Sequence, residues 1–203
     1  MKKPMKKLLP NGLMDRSSGL KAFAKQLVSQ YALGTEKNAR FSVVSFASSA
    51  TTRVAWSTNQ TKINEGIDQM SADGKTSISA GLEAAQKLFA DDIRVGATKI
   101  VLLVSDGEQS HGTEAPGKTP KDTAIDAAAR VKGDNITVFA WGFGNRVSAS
   151  TLNALATDPS KALLVQDMHE LITDDQHLAG LQLRATDRAP AEQGVRKHAA
   201  GGC

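Results

Sequence analysis

The stretch KIVLLVSDGEQS, residues 99–110, decides the fold. Ile100, Val101, Leu102, Leu103 and Val104 form an unbroken apolar run rich in β-branched residues. A run of that length, apolar on both faces, predicts a central strand of a parallel sheet covered on both sides. Residues 99–105 are therefore expected to be the best-buried strand, ending at Ser105. Asp106 and Gly107 then set a carboxylate at the strand's carboxyl end, beside a residue that lets the backbone turn. In open α/β sheets that edge is where ligands bind. An acidic residue can also simply end a strand, so the neighbouring stretches must choose between the two roles.

Downstream, HGTEAPGK (111–118) reads as a loop, and Thr119-Pro120 opens a helix that runs on through residues 124–131. Thr is a good cap there, and Pro at the first helical position loses only an N–H that has no partner anyway. Residues 136–141 form a second β run that flanks the first and ends in Gly142-Phe143-Gly144. A short helix over 151–156 is closed by Pro159, a short strand covers 162–165, and a last helix is expected over 168–183.

Upstream, Ile78, Leu82, Ala85, Leu88 and Phe89 recur at helical spacing after the polar turn SADGKTS (71–77). Ile63, Ile67 and Met70 mark a shorter helix. RFSVVSFA (40–47) and TTRVAW (51–56), three small residues apart, predict a hairpin and an antiparallel edge strand. Leu20, Phe23, Ala24, Leu27, Val28 and Tyr31 line one face of a first helix, with Ser17 or Ser18 as its cap and Gly34 at its end. Residues 1–12, basic and interrupted by Pro4 and Pro10, are expected to be irregular. Residues 13–183 are expected to form one domain, and the polar 184–203 a disordered tail.

Strand and helix thus alternate from Leu20 to Leu183. The pattern predicts an α/β fold: a doubly wound, mostly parallel sheet with one antiparallel edge strand and helices on both faces. A chain of 203 residues with 40% hydrophobic content can bury a core of that size. No apolar run approaches the roughly 20 residues that span a bilayer, so membrane insertion is not expected. The basic cluster Lys2, Lys3, Lys6 and Lys7 lacks the apolar stretch of a signal peptide. A net charge of +4 without interleaved aromatics argues against nucleic acid as a partner. Cys203 is the sole cysteine, so sulfur chemistry indicates no compartment.

Three strand-end loops carry small oxygen ligands: Asp15, Ser17 and Ser18; Thr76 and Ser77; and Asp106. Hydroxyls and carboxylates without His or Cys suit a hard cation such as Mg²⁺, which keeps some of its waters. Few direct carboxylates leave such an ion electron-poor, with a position free for an acidic group from outside.

Taken together, DRSSG, FAKQLV, FSVVSFAS, DGKTSISAGLEAA, KIVLLVSDGEQ, ITVFAWGFG and LNALATDP resemble the von Willebrand factor type A domain over nearly the whole globular part. The resemblance implies a Rossmann-like fold and a metal-ion-dependent adhesion site. Asp15 and Ser17 would come from the first loop, Thr76 from the second and Asp106 from the third, with Ser18 as a further candidate. It also implies Mg²⁺, or Mn²⁺ or Ca²⁺, and a protein ligand whose exposed Glu or Asp completes the ion's shell. The expected role is non-catalytic binding, in an extracellular or cell-surface setting; oligomeric state stays open.

Two departures bear on the site. The second Ser of the family's first motif falls on Gly19, which has no hydroxyl. The strand before Asp15 would have to be LLPNGLM, where Pro10 removes a ladder hydrogen bond. They leave two alternatives, a piece of a longer protein or a site that has decayed. A metal-free scaffold is thus a second reading, and a metal-assisted hydrolase with Asp15 or Asp106 as base a third. The hydrolase lacks a His or Glu at a strand end to serve as base. Gly142-x-Gly144 lacks the third glycine of a dinucleotide fingerprint. His111 reads as a solvated loop residue, neither His169 nor His177 pairs with a nucleophile, and Trp56 and Trp141 read as packing residues.

Overall fold

The computed structural model describes residues 16–31, 39–71, 74–91, 94 and 96–166. Asp15, Gly34, the expected last helix over 168–183 and both tails lie outside the described residues.

Among the described residues, five strands and five helices follow in the expected order. They are α1 (Arg16–Ser29), β1 (Phe41–Phe46), β2 (Ala50–Ser57), α2 (Gln60–Asp68), α3 (Ile78–Ala90), β3 (Ile100–Gly107), α4 (Pro120–Gly133), β4 (Thr137–Arg146), α5 (Ala149–Leu155) and β5 (Ala162–Val165). A 3₁₀ turn at Pro159–Lys161 precedes β5. The fold is α/β and Rossmann-like: a parallel sheet in the order β3-β4-β5, an antiparallel β1-β2 pair, and helices on both faces.

Alternation along the parallel strands sorts the side chains into two cores. Leu103, Val138 and Ala140 face α3, α4 and α5, where they meet Ile78, Leu82, Ala127, Val131 and Leu152. Phe139, Trp141 and Phe143 face the other way and pack with Phe23 of α1, whose ring lies 5.8 Å from that of Trp141. Each fully buried Ile, Leu or Phe is worth about 1.5–3 kcal/mol of transfer free energy. A third core, Val28, Val54, Ile63 and Ile67, joins α1 and α2 to the hairpin. Trp56 crosses to the α3 side because β2 advances three residues, Val54 to Ser57, while β1 advances two. Such a bulge flips the side-chain alternation. There the indole donates to Leu88 O at 3.0 Å and its ring lies 4.8 Å from Phe89. Both tryptophans are packing residues, as expected.

Several expectations need correction. The best-buried strand is β4, with six consecutive buried residues from Val138 to Phe143, while β3 is buried only at alternate positions from Leu103 onward. The reason is topological: β4 has a partner on each side, whereas β3 pairs with β4 alone among the described residues. Continuous apolar character showed that both faces are covered, not which strand is central. Likewise β3 runs through Asp106 to Gly107, and β4 runs past Gly142-Phe143-Gly144 to Arg146. Ser17 and Ser18 lie inside α1, which starts at Arg16, so neither caps it from outside. The expected Thr119 cap is present, its hydroxyl accepting from Asp122 N–H at 3.1 Å, and Pro120 opens the helix as expected.

Candidate metal centre

The carboxyl end of β3 and the start of α3 are laced together. Ser110 N–H donates to Thr76 O at 2.8 Å, and Thr76 N–H donates to Ser110 Oγ at 3.0 Å. Gln109, buried, accepts from Ser79 N–H at 3.0 Å and donates to Ser79 Oγ at 2.8 Å and Thr113 O at 2.9 Å. Ser77 caps α3, and its N–H reaches Ala47 O at 2.7 Å in the hairpin turn. These bonds put Thr76 directly beside Gly107: a Cβ built on Gly107 would stand 3.6 Å from Thr76 Oγ1. Asp106, the preceding residue, is half-buried. Thr76 thus lies beside Gly107, the residue that follows Asp106 at the end of β3.

The first loop contributes less that can be placed. Asp15 lies outside the described residues. Ser17 and Ser18 occupy the first turn of α1, a turn before Leu20 and Phe23, which join the core of Val104, Trp141 and Phe143. Gly19 is buried in the same helix.

Sequence reasoning missed Arg146. Its guanidinium forms an ion pair with Asp106 through Nη2 and Oδ2, with side chains 62% and 31% exposed. The approach is set by backbone. From Ser105 to Gly107 β3 advances two residues, while β4 advances four, from Gly142 to Arg146. Gly144, at φ +80°, takes up part of that slack in a conformation disfavoured for other residues. Arg146 O accepts from Glu108 N–H at 3.1 Å, which fixes the arginine's main chain across from the strand end. A strand that ends in Gly142-Phe143-Gly144, as the sequence suggests, leaves Arg146 outside it.

Glu108 was also missed. Its carboxylate accepts from Ser148 N–H at 3.1 Å and from the Thr151 hydroxyl at 2.9 Å, tying β3's end to the start of α5. Burial alone would raise its pKa, but the hydrogen bonds from Ser148 and Thr151, with Lys121 nearby, outweigh it and hold the carboxyl below its ordinary range. Gly142 does not serve a nucleotide: a Cβ there would meet Val147 at 2.6 Å and Leu152 at 2.7 Å, so the glycine lets α5 close on the sheet. His111 is exposed, as expected for a solvated loop residue.

As donors, a threonine hydroxyl and a half-exposed carboxylate suit a hard cation that keeps part of its water. Among the described residues, no group of three or more His, Cys, Asp or Glu is placed to hold a metal by itself. A cavity of about 350 Å³ lined by Phe89, Ala90, Lys99, Asp134 and Ile136 opens at the opposite end of the strands, so it offers Asp106 no substrate pocket. No described helix is long and apolar enough to cross a membrane.

Solved structures share this architecture. The mussel byssus proximal thread matrix protein 1, in a form with a zinc-occupied metal-ion-dependent adhesion site, matches 81% of the chain at 24% identity and a TM-score of 0.68. The chain spans 40% of that protein's length. The von Willebrand factor domain of the type V pili tip protein Mfa5 from Porphyromonas gingivalis matches 88% of the chain and 90% of its own, at 12% identity and a TM-score of 0.66. BatB from Bacteroides thetaiotaomicron matches 85% of the chain and 87% of its own, at 15% identity and a TM-score of 0.64. No curated protein matches the sequence. The family model of the von Willebrand factor type A domain matches residues 15–176, and the chain belongs to that family.

Proposed function

We propose that this domain is a non-catalytic protein-binding module. A divalent cation, Mg²⁺ or Mn²⁺ or Ca²⁺, held by Asp15, Ser17, Thr76 and Asp106, with Ser18 as a further donor, captures a Glu or Asp of a protein ligand. The observation that supports this reading is the lacing of the Thr76 loop to the end of β3, which sets the Thr76 hydroxyl beside Gly107, next in sequence to the partly exposed Asp106. Those residues hold and orient; the cation supplies the Lewis acidity that binds the ligand's carboxylate. The byssus and pilus-tip proteins similar to this chain favour an extracellular or cell-surface setting.

Calorimetric titration of the whole chain with MnCl₂ tests the site. Binding is expected to be weak, because Gly19 offers no hydroxyl, and Asp106→Ala is expected to abolish it. Tight binding that survives Asp106→Ala would place the metal elsewhere. Capture of Glu-bearing peptides on an array should vanish with EDTA and return with Mn²⁺.

The Asp106–Arg146 pair favours one alternative, a metal-free scaffold in which a protein cation already balances the carboxylate. Peptide binding indifferent to EDTA would select it.

A further inference from the structure

We infer that Arg146 is a built-in counter-cation of the metal centre, occupying the carboxylate of Asp106 until a divalent ion displaces it. The inference rests on the metal-binding reading above and concerns a residue outside the proposed ligand set.

Three observations converge. The guanidinium is ion-paired with Asp106. The partnership has a backbone basis: the main chain of Arg146 is held opposite Gly107 in the strand register and by the Glu108 N–H bond to its carbonyl. The arginine also has somewhere to go: at 62% exposure it leaves for solvent without opening the core. An exposed ion pair of this kind contributes little to folding. Its effect on a dication is larger, because the entering ion must both replace a hydrogen-bonding partner of Asp106 and tolerate a positive charge next to it. The pair thus weakens metal binding, and weakens it most at low ionic strength, where the repulsion is least screened.

The test compares the whole chain with Arg146→Gln and Arg146→Lys by calorimetric titration with MnCl₂, in low salt and again with added NaCl. Arg146→Gln should bind Mn²⁺ on the order of tenfold more tightly than the parent in low salt. The gain should shrink as salt is added, and Arg146→Lys, which keeps the charge, should stay near the parent. Thermal melts in EDTA should show all three proteins folded alike. Equal Mn²⁺ affinity in the parent and Arg146→Gln would overturn the inference while leaving the metal-binding reading intact. No binding by either would overturn both. Binding by Arg146→Gln that survives the further change Asp106→Ala would show that the arginine guards some other site.

Discussion

Asp106 and Glu108, two residues apart, use their negative charge differently. Asp106 is turned to a cation at the open edge of the sheet, whereas Glu108 is spent on structure, receiving Ser148 N–H and the Thr151 hydroxyl. Because Glu108 titrates below its ordinary value of 4.5 when folded, its contribution to stability is present above that value. It is lost as pH falls through the lower, folded value. Glu108→Gln should therefore destabilise the protein by up to about 1 kcal/mol at pH 7, solvent screening included. The gap to the parent, followed by urea denaturation, should close as the pH is taken below 4.5. At this scale the sequence told part of the story. The positions of Thr76 before α3 and Asp106 near the end of β3 were legible, because a polar turn and an apolar run marked those ends. Arg146 and Glu108 were not, since their roles depend on how far β4 slips against β3, and a slip leaves no periodic trace.

Among elements, β4 is the most constrained. It is buried from Val138 to Phe143, and its glycine at 142 admits Val147 and Leu152 against the main chain. Gly142→Ala should cost about 1–3 kcal/mol, as overpacking of a filled core does. Chemical denaturation would show it as a lower midpoint with an unchanged slope. The elements themselves were legible, because apolar runs of β-branched residues and helical spacing are strong signals. Their ends were less so. Residues 142–146 are glycine-rich and look like loop, yet pairing with β3 at Gly142 and Arg146 and with β5 at Gly142 and Phe143 carries them as strand. The rank order of burial was not legible either, since it follows from how many neighbours a strand has.

For the whole molecule, the parallel sheet and the hairpin share no ladder among the described residues; α1 and α3 pack on both. Side-chain packing alone is weaker insurance against local opening than a two-sided ladder. Hydrogen exchange should accordingly separate two groups. Amides of β4 should exchange only on global unfolding, and those of β1 and β2 at least about tenfold faster. Equal protection across both sheets would show that they open as one unit.

That layout gives the lacing at the candidate site a mechanical meaning. Ser77 N–H to Ala47 O, Lys75 N–H to Ser48 Oγ, and the paired bonds between Thr76 and Ser110 run from hairpin turn to helix start to strand end. They form a clasp across the two halves at one rim, like the catch on a book cover. A partner pulling on Asp106 would load that catch first, and an ion seated beside Thr76 would tighten it. On the proposed function, the rim that would meet the ligand is also a rim where the two halves are tied together.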